Sequence, residues 1–269
     1  MAEITRVRLA GVQETLLIPL AARVSESRRA DSAYTDPEAE RIAGLIDANL
    51  AFYAGEWAEV EAVVGRTDIL DRGVSAWLTE HPGGQVVNLG AGLCTRFWRV
   101  DDGRVRWTDL DMPEVVALKA SLVTPCPRYR LVEGSVLEQA WFDRVESGPV
   151  LFIVEGLLMY LEEAQVRTLL SGLGARFPGC EAWIEAISPL LLRSAGRRSK
   201  TIRATGATFG WGLDDAADLD RLVPGLTVIE ACYPADVHPE RWRWLRLMRF
   251  VGSIHRGLKV LHVRLGDEA

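Results

Sequence analysis

From residue 85 onward the chain alternates between short apolar runs and segments long enough for a helix, a pattern that few architectures accept. The runs are Gln85–Leu89, Arg104–Thr108, Tyr129–Val132, Val150–Val154, Glu181–Ile187, Leu226–Tyr233 and Lys259–Leu265. Between them lie stretches such as Met112–Val123 and Glu162–Phe177, and a longer helical segment is expected to begin near His238-Pro239. Strands that are apolar throughout, rather than at every second residue, are buried on both faces, and intervening helices supply that cover. The expected fold is therefore α/β: a Rossmann-like parallel sheet of about seven strands with helices on both sides.

Before residue 84 the pattern is helical, so residues 1–83 read as a helical preface and residues 84–269 as the core of one structural unit. Asp36-Pro37 offers an N-cap followed by proline at the first helical position. Glu38–Phe52 then carries Ala39, Ile42, Ala43, Leu45, Ile46 and Leu50 at helical spacing. Residues 68–80 repeat the pattern through Ile69, Leu70, Val74, Trp77 and Leu78, and His81-Pro82-Gly83-Gly84 ends it.

Composition removes several classes. With 48% hydrophobic and 25% charged residues, the chain has the make-up of a domain with a real core rather than a disordered or fibrous one. Its apolar runs are far shorter than the roughly 20 residues a membrane-crossing helix needs. Gln13 and Glu14 interrupt the apolar stretch that includes Leu16, Leu17, Ile18 and Leu20, so no secretory signal is read there and a cytoplasmic location is expected. Cys94, Cys126, Cys180 and Cys232 form no CxxC pair, and His81, His238, His255 and His262 form no HxxxH pair, so no metal site is expected. The net charge of −6 divides into −10 over residues 1–189 and +4 over residues 190–269. The basic share sits in Arg193–Arg203 and Arg241–Arg249; without a basic domain or a nucleic-acid module these read as solvated helix faces. Neither nucleic acid nor membrane is an expected partner.

The chemistry-bearing motif is Val86-Val87-Asn88-Leu89-Gly90-Ala91-Gly92-Leu93, an apolar strand running into Gly-x-Gly and then a helix. Such a turn lets backbone approach a ligand more closely than any Cβ allows. Twenty-one residues after Gly90 stands Asp111, at the end of the next strand. In a doubly wound sheet that spacing sets a carboxylate where ribose hydroxyls can donate to it. A dinucleotide site wants a third Gly or Ala, where this chain has Thr95, followed by Arg96 and the bulky Phe97-Trp98. A cofactor with one ribose and no phosphates fits better, and S-adenosylmethionine is such a cofactor; an NAD(P)-dependent oxidoreductase on the same fold is the competing reading.

Gly90-Ala91-Gly92-Leu93, Thr95-Arg96-Phe97-Trp98-Arg99 and Asp111-Met112-Pro113 together resemble the leucine carboxyl methyltransferase family, in particular its bacterial, tetracenomycin-type polyketide O-methyltransferase branch. Ser27-Arg28-Arg29-Ala30-Asp31, leading to Asp36-Pro37, and Phe152-Ile153-Val154-Glu155-Gly156-Leu157-Leu158-Met159-Tyr160-Leu161 extend the resemblance over residues 20–190. It implies a class I methyltransferase with added amino-terminal helices and S-adenosylmethionine as donor. By that resemblance Gly90, Ala91 and Gly92 line the methionine moiety, Asp111 holds the ribose, and Arg66 binds the methionine carboxylate through a two-pronged fork. Arg23 is a second basic residue of the same region, Glu155 contacts the cofactor from the end of its strand, and Tyr160 faces the acceptor. Ser135 and Val136 fall at the adenine, although the family usually has an acid where Ser135 stands. Cys94 likewise replaces a common Asp. Those two departures leave open a protein that binds S-adenosylmethionine without turnover.

The expected acceptor is a carboxylic acid of a small molecule, polyketide or peptide. A carboxylate is already ionised at neutral pH and needs no base, which suits a chain with no histidine near its motifs, and the family implies the same preference. Phe209-Gly210-Trp211-Gly212, within Ile202–Leu213, reads equally as a cover for an apolar acceptor or as a simple turn. Trp242, Trp244, Leu245, Leu247 and Met248 read as core packing or a subunit contact.

Overall fold

The computed structural model describes residues 4–7, 9–124, 126–243 and 251–266. Helices α1 (Leu17–Ser27), α2 (Pro37–Ala43), α3 (Leu50–Tyr53) and α4 (Trp57–Glu80) precede the main sheet. Helices α5 (Arg96–Val100), α6 (Pro113–Leu122), α7 (Glu163–Arg176), α8 (Pro189–Arg198), α9 (Lys200–Thr205), α10 (Ala217–Leu222) and α11 (Gly252–His255) connect its strands. Strands β1 (Thr5–Arg6) and β2 (Ile46–Asp47) pair as a short parallel ribbon within the preface. The main sheet contains β3 (Gln85–Leu89), β4 (Arg106–Asp111), β5 (Tyr129–Glu133), β6 (Val150–Val154), β7 (Cys180–Ile187), β8 (Leu226–Cys232) and β9 (Leu258–Leu265), in the order β5-β4-β3-β6-β7-β9-β8.

All seven anticipated strands are present, but the sheet is not wholly parallel. β9 runs antiparallel to both β7 and β8. A parallel neighbour requires the chain to cross back over a sheet face before re-entering. After β8 the chain instead passes through the turn Pro234–Asp236 and α11 and re-enters beside β7, where Leu258 pairs with Ile187 at that strand's carboxyl end. β3 pairs with β4 on one side and β6 on the other, so the strand order reverses at β3 and a crevice opens at the carboxyl ends of these strands.

Alternate residues of the central strands feed two separate cores. Val86, Leu151 and Ile153 face the layer that holds α1, α2 and α4, while Val87, Leu89, Phe152 and Val154 face the layer that holds α7 and α10. These side chains are at most 1% exposed, which is why the strands read as continuous apolar runs.

The preface departs from its sequence pattern in two places. The helix expected over Glu38–Phe52 stops at Ala43, turns at Gly44 into β2, and resumes as α3 with Asn49 as its cap. Asp36 caps α2 as expected, its Oδ1 accepting from the Ala39 amide at 2.9 Å. The helix expected over residues 68–80 begins earlier, at Trp57. Its Gly65 is a contact surface: a Cβ there would lie 2.8 Å from the carbonyl oxygen of Pro234. The helix expected from His238-Pro239 is a short 3₁₀ turn at 239–243 as far as it is described; Trp244, Leu245, Leu247 and Met248 lie outside the described residues. Among the described residues no helix is long and apolar enough to cross a membrane.

Candidate active site

β3 delivers the chain into the crevice through Gly90 (φ +65°) and Gly92 (φ +47°). A residue with a Cβ loses roughly 1–2 kcal/mol in that left-handed conformation. Added Cβ atoms would also stand 3.0 Å from Leu157 Cδ1 and 3.1 Å from Leu16 Cβ. The loop is held from several sides. Gly90 and Ala91 amides donate to the Leu110 carbonyl, and the Gly92 amide donates to Asp111 Oδ2 at 2.7 Å. The Met112 amide donates to Asp111 Oδ1, also at 2.7 Å. Beneath the loop, buried Lys119 donates to the Cys94 carbonyl at 2.8 Å and pairs with Asp109, which also accepts from Asn88, Trp107 and Tyr129. Asp111 is thus fixed with each oxygen engaged once by backbone, leaving further lone pairs for a ligand. Burial raises its carboxyl above the usual aspartate range, against the lowering effect of the two amides.

Next to the loop lies a buried ion cluster. Glu155 follows β6 directly, and Glu185 stands within β7. Arg66 from α4 donates through Nε to Glu155 at 2.9 Å and through Nη1 to Glu185 at 2.6 Å. Arg96 from α5 donates through Nη2 to Glu155 at 2.9 Å and through Nε to Asp71 at 2.7 Å. Arg99 joins Asp71 to Asp36, and Arg23 donates to the Leu93 carbonyl at 2.8 Å with its Nε 3.5 Å from Asp36. Arg23, Arg66, Arg96 and Arg99 therefore balance Asp36, Asp71, Glu155 and Glu185. Burial works against ionisation of Glu155, but Arg96 and Arg66 outweigh it and hold the carboxyl at about 2. For Glu185 burial wins, and its carboxyl is raised above the usual range despite Arg66. Buried ion pairs return little net stability, so a wall of them beside a cavity points to ligand binding. The buried Nε of Arg23 makes no hydrogen bond, an orphan of the kind that a ligand oxygen satisfies.

A cavity of about 1490 Å³ opens over these groups. It exceeds the roughly 300–1,000 Å³ of ordinary ligand sites, leaving room for two molecules. Arg23, Arg66, Gly90, Ala91, Gly92, Asp111 and Glu155 line one part of it. Leu190, Leu191, Phe209 and Trp242 line another, where Tyr160 stacks on Phe209 with ring centroids 5.6 Å apart. Trp211 turns instead into the core, 6% exposed. Ser135 and Val136, expected at the adenine, do not line the cavity: beyond β5 they form a local turn in which Ser135 Oγ accepts from the Leu137 amide at 3.3 Å. Cys94 does line it, 3.5 Å from Arg96 Nη1.

Several participants escape a sequence reading. Arg96 and Arg99 stand in a recognisable block without an evident task, and Glu185 is an acid between Ile184 and Ala186 in a largely apolar strand. His255 and Asp236 line the cavity as a pair, Nε2 to Oδ1 at 2.8 Å. They lie 19 residues apart with no motif to join them.

The family described as leucine carboxyl methyltransferase matches residues 17–174. The tetracenomycin polyketide synthesis O-methyltransferase TcmP of Streptomyces glaucescens is 34% identical over 245 residues, covering 88% of this chain and 90% of the relative. The S-adenosyl-L-methionine-dependent methyltransferase dpfgK of Gibberella zeae is 28% identical over 253 residues, covering 85% and 84%. Among solved structures, the magnesium protoporphyrin IX methyltransferase ChlM of Synechocystis, with bound S-adenosylhomocysteine, superposes with a TM-score of 0.51 at 11% identity, covering 86% of this chain and 94% of that one. The last likeness is one of fold.

Proposed function

This chain belongs to the leucine carboxyl methyltransferase family and is an S-adenosylmethionine-dependent methyltransferase, and we propose that it transfers methyl to the oxygen of a carboxylic acid, forming a methyl ester on a largely apolar acceptor. The observation that carries this reading is one continuous cavity whose lining joins Arg23, Arg66, Gly90, Gly92, Asp111 and Glu155 to apolar side chains that include Leu190, Leu191 and Phe209. The cofactor supplies a methyl group bound to a positively charged sulfur. Its methionine end is a zwitterion, suited to a wall that offers both guanidiniums and carboxylates. There Arg66 and Arg23 would meet the carboxylate, Glu155 and Glu185 would face the ammonium side, and Gly90 and Gly92 would admit close approach. Asp111 would accept from the ribose hydroxyls with the lone pairs its two amides leave free.

A carboxylate acceptor arrives ionised, so the residues have only to align it and exclude water, where positioning alone is worth several orders of magnitude in rate. The apolar part favours a hydrophobic small molecule or polyketide over a free peptide terminus. Two measurements test the reading. S-adenosylmethionine should raise the melting temperature where NAD and NADP do not, because a ligand of the folded state stabilises it. Incubated with isotopically labelled donor and a mixture of hydrophobic acids, the protein should yield a labelled product that mild alkali hydrolyses. A labelled product that survives alkali would overturn the ester assignment, and saturable cofactor binding with no product from any acid would favour a binding protein without turnover.

A further inference from the structure

A carboxylate asks nothing of a base, yet the chamber contains one. His255 in α11 and Asp236 in the turn after β8 both line the cavity, with Nε2 2.8 Å from Oδ1. An ionised carboxylate only accepts, so Nε2 carries the hydrogen, and in the neutral ring Nδ1 presents a lone pair. That nitrogen has no hydrogen-bond partner among the described residues. The Tyr233 and His255 ring centroids are 5.6 Å apart, Arg256 follows directly in the chain, and Glu240 lines the same cavity.

The pair stands close to the charged wall. Pro234, at the start of Asp236's turn, packs against Gly65, the neighbour of Arg66. Leu258, three residues after His255, pairs with Ile187, two residues beyond Glu185. Leu191, on the apolar wall, touches Gly257 in the same turn: a Cβ there would lie 2.6 Å from Leu191 Cδ1. A histidine oriented by a carboxylate in the lining of the cavity, with its second nitrogen unengaged among the described residues, is the arrangement of a general base.

We propose that His255, oriented by Asp236, accepts the proton of a phenolic acceptor, so that this chamber methylates phenols as well as acids. The inference rests on the methyltransferase reading. In the step the phenol oxygen forms its bond to the methyl carbon as the carbon–sulfur bond breaks. That electron pair leaves with sulfur as a neutral thioether, and the hydroxyl proton moves to Nδ1, giving an imidazolium beside the Asp236 carboxylate.

The experiment uses 4-nitrophenol and protein saturated with S-adenosylhomocysteine, so that no turnover occurs. At a pH where the free probe is mostly un-ionised, bound probe should show the nitrophenolate absorption band. His255→Gln should still retain the probe in equilibrium dialysis but lose the band, while Asp236→Asn should need a higher pH to show it. Unchanged S-adenosylhomocysteine affinity in calorimetry establishes that both variants are folded. Probe bound as the neutral phenol, no retention of probe, or a band that persists in His255→Gln overturns the proposal. Failure of S-adenosylhomocysteine itself to bind overturns the methyltransferase reading with it, whereas its binding without the band removes only the phenol.

Discussion

Replacing Glu155 by glutamine preserves the shape of the side chain and removes its charge from between Arg66 and Arg96, each 2.9 Å away. In the folded protein burial alone would raise this carboxyl, but the two guanidiniums hold it at about 2 against a usual 4.5. A proton bound roughly 300-fold more weakly by the folded than the unfolded chain corresponds to about 3 kcal/mol of stability. That agrees with the roughly 3–5 kcal/mol lost when one partner of a buried pair is removed. The low end applies because Asp71 and Glu185 remain to hold Arg96 and Arg66. Because the folded carboxyl titrates below the unfolded one, its stabilisation is complete above about 4.5 and is lost as pH falls towards 2. Urea unfolding should therefore show Glu155→Gln about 3 kcal/mol less stable than the parent at neutral pH, with the gap narrowing steadily as the solution is acidified through that window. A gap of the same size at both ends would refute the ion-pair account, and a gap under about 1 kcal/mol at neutral pH would mean that the cluster is effectively solvated.

Two further expectations concern the loop and its partner. Asp111→Asn should weaken S-adenosylhomocysteine binding about 10- to 100-fold in calorimetry, the worth of one charge-assisted hydrogen bond at roughly 1.5–3 kcal/mol; equal affinity would remove Asp111 from the ribose. Since burial raises this carboxyl, the parent's affinity should begin to fall at a pH above the usual aspartate range, as the acid takes up its proton, and Asp111→Asn should flatten that profile. Gly92→Ala should cost roughly 1–2 kcal/mol in thermal unfolding through the left-handed backbone, and lose cofactor affinity as the methyl presses on Leu16; a variant with parental stability and affinity would show that the loop relaxes freely.

The sheet was legible because burial on both faces leaves a direct mark on composition. Val86 and Val87 point into different cores, yet both must be apolar, so the run itself reports the strand. Strand direction leaves no such mark. A buried strand has the same composition whichever way it runs, and the reversal of β9 follows from the path after β8 rather than from any residue within Leu258–Leu265. The split of Glu38–Phe52 has a similar origin. Ile46 keeps its helical spacing in the sequence, but here it pairs with Thr5 in the β1–β2 ribbon, a contact decided by residues 41 positions away.

For the site, the divide lies between residues that act within their own turn and residues that meet across elements. Gly90, Gly92 and Asp111 were readable because a strand, a sharp turn and an acid on the neighbouring strand carry their geometry in their spacing. Ser135 and Val136 have no comparable constraint, and their turn closes on itself. Glu185 is intermediate. An acid between Ile184 and Ala186 in a strand this apolar must be paired to remain charged, so the sequence announces that a cation is needed without naming it. The partner, Arg66, comes from a helix 119 residues earlier, and nothing near Glu185 distinguishes it from the other arginines of the preface. What selects Arg66 is the seat of α4 on the sheet, where Gly65 admits Pro234 and so lets the following side chain reach β6 and β7. A Cβ at 65 would stand 2.8 Å from the Pro234 carbonyl oxygen, so a glycine with no role in any loop sets how closely α4 and the turn after β8 approach beside the charged wall.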